Sequence, residues 1–115
     1  MRYRCLALLA RNHGLAVLSY LAANMQLYDT VAVFTHRLNP KSQDSTQAER
    51  SDYADFLKMA QNAGIPAYVI DKKSDMLSLE QFANNNEYDF LVSVSWRHRP
   101  PLLLLFFKNQ YWANF

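Results

Sequence analysis

The chain has 115 residues, of which 50% are hydrophobic and 19% charged, and this size and composition predict one globular domain over residues 1–115. Twelve Lys and Arg against ten Asp and Glu give a formal net charge of +2, too small to indicate a polybasic nucleic-acid binder. The single cysteine, Cys5, excludes a disulfide framework or a Cys-based zinc site built from this chain alone. We therefore expect a cytoplasmic protein.

The first third of the chain has the pattern strand, helix, strand. Residues 2–9 form a mostly apolar run, which is typical of a buried strand. Apolar residues at helical spacing then predict a helix, with Asn12 as its N-cap. They are Leu15, Leu18, Ala22 and Met25. Residues 30–35 are β-branched and apolar and predict a second buried strand.

The middle of the chain contains a polar loop and a second helix. Residues 37–45 are polar and include Pro40, which indicates a loop. Thr46 and Glu49 have the spacing of a capping box and predict that the helix begins there. Gly64, followed by a proline two residues later, predicts its end.

The last part of the chain continues the alternation. We predict a third strand over 65–70, a helix over 76–85, a central fourth strand over 90–96, a helix over 101–107 and the start of a fifth strand at 111–115. Alternating strands and helices indicate an α/β fold with a Rossmann-like parallel sheet. Because the chain ends within the fifth strand, we expect the sheet to be incomplete at its C-terminal end.

The residues that directly follow each strand are the candidates for function, because ligands of open parallel sheets bind at the carboxyl ends of the strands. All three histidines and four arginines fall there. Arginine offers paired donors, so this edge suits a phosphate, a nucleotide diphosphate or a polycarboxylate. Solvated polar loops are the alternative interpretation. The residues are Arg11 and His13 after the first strand, His36 and Arg37 after the second, and Arg97, His98 and Arg99 after the fourth.

Several other chemistries are disfavoured. The histidines lack a short helical pair and an accompanying carboxylate, so we expect no metal. Gly14 is the only glycine of the first loop, which argues against a dinucleotide fingerprint, and a P-loop is absent from the sequence.

Cys5 lies within the first strand and is expected to be a buried, inert thiol. Trp96 ends the fourth strand and either stacks on a ligand ring or packs at the rim. Three carboxylates are expected to cap or stabilise turns, namely Asp71, Asp75 and Asp89.

Four stretches of the sequence resemble the amino-terminal half of the folate-dependent formyltransferases. The Arg-Asn-His-Gly opening and the Ser-Val-Ser-Trp-Arg segment are most similar to the branch that formylates sugars. The resemblance spans nearly the whole chain. The stretches are residues 11–18 (RNHGLAVL), 31–36 (VAVFTH), 53–66 with its Gly-Ile-Pro end, and 88–97 (YDFLVSVSWR).

The resemblance implies that the domain holds 10-formyltetrahydrofolate and passes its formyl group to an amine, most closely that of a nucleotide-linked amino sugar. It assigns the loop after the first strand to the acceptor and its phosphate, which corresponds to Arg11, Asn12 and His13. It assigns the loop after the fourth strand to the pterin, which corresponds to Val94, Ser95, Trp96, Arg97, His98 and Arg99.

The family signature for catalysis is Asn-x-His on the fifth strand, then a Ser-x-Leu-Pro stretch and a later Asp. Asn114 matches the asparagine, and the histidine would be the residue after Phe115. Since the proton transfer needs that general acid and base, we expect these 115 residues to be an inactive fragment on their own.

Two alternatives remain open. A methionyl-tRNA formyltransferase would take tRNA as its partner, and this is the one case in which we expect a nucleic acid. A module that binds nucleotide or phosphate through the arginine-rich edge would do no chemistry. Otherwise we expect a small-molecule amine as partner, no membrane, and a homodimer as one possible assembly. The interpretation without a function is a truncated, poorly stable remnant whose exposed fifth strand makes it dimerise or aggregate.

Overall fold

The computed structural model describes residues 2–96 and 111–114, and within them it contains a five-stranded sheet. The strands are all parallel and lie in the order β3-β2-β1-β4-β5, which confirms the predicted Rossmann-like α/β fold. The helix predicted over 101–107 lies outside the described residues. The strands are β1 (Tyr3–Leu9), β2 (Tyr28–Thr35), β3 (Ala67–Val69), β4 (Phe90–Val94) and β5 (Tyr111–Asn114).

Helices cover both faces of this sheet. The helices α1 (Arg11–Ala23) and α2 (Tyr53–Ala63) pack on one face, and α3 (Met76–Asn85) packs on the other. A short 3-10 turn, Lys73–Asp75, precedes α3. The strand β1 lies between β2 and β4 and contributes buried side chains to both apolar clusters, as its unbroken apolar run predicted.

The thiol of Cys5 is one of these buried side chains. Burial raises its pKa to about 12, because the thiolate would lose its hydration. The expectation of an inert structural thiol is confirmed.

Helix α1 begins earlier than predicted. Its N-cap is Ala10, which offers no side-chain acceptor, so the assignment of Asn12 as the cap was wrong. The helix starts as soon as β1 ends because Gly14 lets it pack directly on the strand. A Cβ at Gly14 would lie 3.1 Å from the carbonyl carbon of Leu9.

Helix α2 begins later than predicted. It starts at Tyr53, so the capping box of Thr46 and Glu49 was wrong. Thr46 instead donates its hydroxyl hydrogen to Asp44, and Glu49 accepts from Arg37. Both side chains therefore stabilise the loop before α2. The predicted end is confirmed, because Gly64 follows the helix with a left-handed φ of 69°.

The ends of β1 and β4 form the switch point of the sheet. The strand order runs outward from β1 to β2 and β3 on one side and to β4 and β5 on the other. The two ends are held together, since the Ala10 amide donates to the Val94 carbonyl at 3.1 Å. The crevice outside such a junction is where open α/β sheets bind ligands.

We predict that Gly14→Val lowers the free energy of unfolding by roughly 1–3 kcal/mol, the usual cost of overpacking. The added side chain would press on the main chain of Leu9, which cannot move because it is paired with β4 in the sheet. Urea denaturation measures this change. Ala16→Val is the matched control on an exposed position of α1. Equal stability of the two variants would contradict the close contact of α1 with β1.

Candidate functional site

Two cavities lie side by side at the carboxyl edge of the sheet. We name the first the tryptophan cavity; its volume is about 340 Å³. We name the second the amide cavity; its volume is about 310 Å³. The tryptophan cavity is lined by Arg11, His36, Pro40, Ser42, Gln43, Arg50, Ser95 and Trp96, and the amide cavity by Arg11, Asn12, Asn39, Gln43, Arg50, Ser51 and Asp52.

Three residues line both cavities and form the boundary between them: Arg11, Gln43 and Arg50. The guanidinium of Arg11 donates from Nη2 to Oε1 of Gln43 at 3.2 Å. This hydrogen bond joins the start of α1 to the loop that precedes α2, at the boundary between the two cavities.

The arginines of this edge differ in how their charge is compensated. Arg50 donates from Nε and Nη2 to the two carboxylate oxygens of Asp52, at 3.0 and 2.8 Å, with side chains only 9% and 14% exposed. Arg37 pairs with Glu49 at 3.1 Å in solvent. Arg11 has no carboxylate partner among the described residues, and it therefore supplies the uncompensated positive charge of both cavities.

The backbone at the switch point is strained on both sides. Arg11 has φ 62° and Ser95 has φ 55°, and both residues line the tryptophan cavity. A non-glycine residue in the left-handed region costs roughly 1–3 kcal/mol, and such strain clusters at ligand sites. The left-handed conformations end β4 at Val94 and begin α1 at Arg11.

An aromatic pair forms one wall of the tryptophan cavity. The His36 ring is 1% exposed and stacks on the Trp96 ring, with centroids 4.1 Å apart and planes inclined by 24°. Its Nδ1–H donates to the carbonyl oxygen of Ile70. The indole Nε1 of Trp96 and the hydroxyl of Ser93 are buried and have no hydrogen-bond partner among the described residues. A buried polar atom without a partner costs roughly 1–3 kcal/mol.

The loop over residues 37–52 closes both cavities on their outer side and is organised by Asp44. Its carboxylate accepts hydrogen bonds from the Thr46 hydroxyl and amide, the Ala48 amide and the Asn39 side chain. These bonds, that of the Thr46 hydroxyl first, lower the pKa of Asp44 to about 2. The Asp44 carboxylate that fixes the loop is therefore ionised at neutral pH.

The structure brings some of the predicted site residues together and separates others. Arg11, Ser95 and Trp96 share the tryptophan cavity, and Asn12 lines the amide cavity. Val94 instead buries its side chain in the core below α1. His13 is exposed on α1 and lines neither cavity.

Asn114 is the last residue of β5 and pairs in register with Ser93, so it lies at the same edge of the sheet. The remaining predicted residues, Arg97, His98 and Arg99, lie outside the described residues.

Sequence reasoning missed the contribution of the loop before α2. Asn39, Gln43, Arg50, Ser51 and Asp52 all line a cavity. The only signal in the sequence was the polar composition of a long loop after the second strand. This composition does not indicate which residues of the loop line a cavity.

The three single carboxylates all accept hydrogen bonds from backbone amides, but only Asp75 does so within a turn, as expected. Asp71 and Asp89 instead bind amides of segments that are distant in the sequence, so the expectation was wrong for these two. Asp71 accepts from the amides of Arg37 and Leu38, Asp75 from those of Asp71 and Lys72, and Asp89 from that of Arg4. Within the described part of the chain, no three His, Cys, Asp or Glu side chains are grouped so that they would hold a metal ion. No helix in the same ranges is long and apolar enough to cross a membrane.

The fold and the site define the class of protein: a Rossmann-like α/β domain with two polar cavities at its switch point. In comparisons with known proteins, the chain matches no family model, no curated protein and no solved structure.

We predict that acid loosens the loop over residues 37–52. The folded pKa of Asp44 is lowered, so its contribution to stability is complete above about pH 4 and is lost as the pH falls towards 2. Amide hydrogen exchange at residues 39–48, corrected for intrinsic rates, measures this. Asp44→Asn should show faster exchange already at pH 6, whereas the exposed Asp55→Asn should not. Unchanged protection in Asp44→Asn would contradict the role of this carboxylate.

We further predict that the free energy of unfolding of Arg11→Gly is up to about 1 kcal/mol higher than that of Arg11→Ala. Both variants lose the guanidinium, but only glycine relieves the left-handed strain at φ 62°, against some loss of helix propensity. Urea denaturation measures the difference. A less stable glycine variant would show that Arg11 is not strained.

Proposed function

We propose that this chain is the folate-binding domain of a formyltransferase, which passes the formyl group of 10-formyltetrahydrofolate to the amine of a nucleotide-linked amino sugar. One observation carries the proposal. The family resemblance assigns the loop after β1 to the acceptor and the loop after β4 to the folate, and residues of both loops line the tryptophan cavity. Arg11 comes from the first loop, and Ser95 and Trp96 come from the second. A donor and an acceptor that react must meet in one such place.

The chemistry of the cavity supports a ring that bears hydrogen-bonding groups. The volume of about 340 Å³ is at the lower end of the roughly 300–1,000 Å³ of small-molecule sites, so it suits one ring system rather than a whole folate. Trp96 lines the cavity, and its Nε1 is a buried donor without a described partner. The ring nitrogens and the carbonyl oxygen of a pterin can accept a hydrogen bond from a donor of this kind.

In the proposed reaction, the amine nitrogen forms a bond to the formyl carbon, and the bond from that carbon to the folate nitrogen breaks. The amine loses one proton and the folate nitrogen gains one. Asn114, at the end of β5 beside Ser93, would donate its amide hydrogen to the oxyanion that develops. We assign no proton transfer to the described residues of this chain.

The amide cavity supports an acceptor with hydroxyl and phosphate groups. Asn12, Asn39 and Ser51 offer neutral donors and acceptors, and Arg11 offers a cation. A nucleotide-linked sugar has both kinds of group, which favours it over the phosphate backbone of a tRNA. The free, buried Cys5 agrees with a cytoplasmic protein, since an unpaired thiol is usual in a reducing compartment.

The test of this proposal is binding by the 115-residue chain. We expect an unreactive analogue of 10-formyltetrahydrofolate to raise the melting temperature by several degrees, since ligand at 100 times its Kd adds about 2.7 kcal/mol. The analogue should also slow amide exchange at Ser95 and Trp96. The end of α3, which lines neither cavity, is the internal control.

A second function, nucleotide binding without chemistry, is favoured by the uncompensated charge of Arg11. UDP is therefore tested beside the folate analogue. Binding of UDP without binding of the analogue would overturn the formyltransferase proposal and leave the second function. If neither ligand binds, both functions are wrong.

A further inference from the structure

We propose that Gln43 is a specificity-determining residue, which holds the Arg11 guanidinium until a phosphate group of the acceptor replaces the Gln43 amide oxygen. This rests on the proposed function only in taking the acceptor to be phosphorylated. The exchange would select anionic acceptors over neutral ones, because only an anion binds Arg11 more strongly than the neutral amide does.

The contacts of the arginines single out Arg11 for this role. Arg50 lines the same two cavities, but both of its hydrogen bonds go to Asp52 in a nearly buried ion pair. Among the residues that the structure describes, the Arg11 side chain has one hydrogen bond, at 3.2 Å, and its partner is uncharged. Hydrogen bonds from a guanidinium to an anion are typically 2.7–2.9 Å and about twice as strong. Of the two arginines that line both cavities, Arg11 is therefore the one that is held less strongly by its described partner.

The position of Gln43 makes the exchange feasible. Gln43 is exposed, lies in the loop before α2, and lines both cavities. Its backbone is fixed by the bond from its amide to the Pro40 carbonyl. The side chain can therefore turn into solvent by breaking its bond to Arg11 alone among the described hydrogen bonds. Releasing the side chain leaves Arg11 in place at the strained start of α1.

The exchange also has a steric consequence. The Arg11–Gln43 hydrogen bond lies between the two cavities, so its loss would join them at the guanidinium. A phosphate bound there would have hydroxyl-binding amides on one side, from Asn12 and Asn39, and the Trp96 wall on the other. The substrate class that this geometry favours is a phosphorylated, hydroxyl-bearing amine that occupies the amide cavity and reaches its boundary with the tryptophan cavity.

Two substitutions of Gln43 distinguish a residue that competes with the phosphate for Arg11 from a residue that binds the ligand directly. Gln43→Ala removes the competing acceptor, so the affinity for a sugar phosphate should rise about 2- to 10-fold, the worth of one ordinary hydrogen bond. Gln43→Glu places a carboxylate on Arg11 and should lower the affinity at least about 10-fold. Gln81→Glu makes the same charge change on the exposed face of α3 and should leave the affinity unchanged.

The experiment is calorimetric titration of the full chain with glucose 1-phosphate, and with methyl glucoside as the uncharged probe. We expect glucose 1-phosphate to bind with the affinity order Gln43→Ala, wild type, Gln43→Glu, and methyl glucoside to be insensitive to these changes. Weaker or equal binding by Gln43→Ala would overturn the proposal, because Gln43 would then be a direct ligand or irrelevant. Absence of binding to every variant would also overturn it.

Failure of this inference and failure of the proposed function are distinguishable. Titration of the wild-type chain and of Gln81→Glu with the unreactive folate analogue tests the function, since neither protein is altered at a residue that lines the tryptophan cavity. Folate binding without the predicted order for glucose 1-phosphate would remove the inference and keep the function. The predicted order without folate binding would keep the inference and remove the function.

Discussion

The pairing of β1 with β4 is the constraint on which the rest of this structure depends. The strand β1 is buried on both faces. Among the described strands, the later ones are added on both of its sides, β2 and β3 on one and β4 and β5 on the other. Its junction with β4 is closed by the hydrogen bond from the Ala10 amide to the Val94 carbonyl. Helix α1 can begin at this junction because Gly14 allows it to approach Leu9. The ends of the two strands then turn away in strained, left-handed conformations and leave a crevice between them.

The electrostatics of the crevice follow from how the loop before α2 folds. Asp44 accepts hydrogen bonds from within the loop, and Asp52 and Glu49 neutralise Arg50 and Arg37. The loop thus brings polar groups to the cavities without adding net charge from its arginines. The charge of Arg11 is left for a ligand, and the neutral Gln43 is its described partner. Arg11 is therefore the one arginine lining these cavities that has no carboxylate partner among the described residues.

The sequence was sufficient to predict most of the fold, because buried parallel strands and amphipathic helices leave strong apolar patterns. The runs that became β1 and β2, the stop at Gly64 and the helix over 76–85 were all predicted. The starts of α1 and α2 were not, because capping depends on competition between local hydrogen bonds. Thr46 bonds to Asp44 instead of capping a helix, and Ala10 begins α1 without any side-chain cap.

The candidate site was predictable only where it adjoins the strands. Arg11, Ser95 and Trp96 were found because the carboxyl end of a parallel strand is a fixed place in the fold. Gln43, Arg50 and the other loop residues were missed, because their positions depend on the path of a long loop. The stacking of Trp96 on His36 was likewise not predictable, since it joins residues that follow two different strands, β4 and β2.

The most direct test of this account is a nuclear magnetic resonance map of the amides that shift when UDP or the unreactive folate analogue is added. The account predicts that the shifts cluster at the switch point, at residues 10–12, 43, 50 and 94–96. The groove between α1 and α2, about 490 Å³ and lined by Leu15, Met25 and Met59 among others, is the competing location on the surface. Shifts confined to that groove, or to the amino ends of the strands, would contradict a ligand site between β1 and β4.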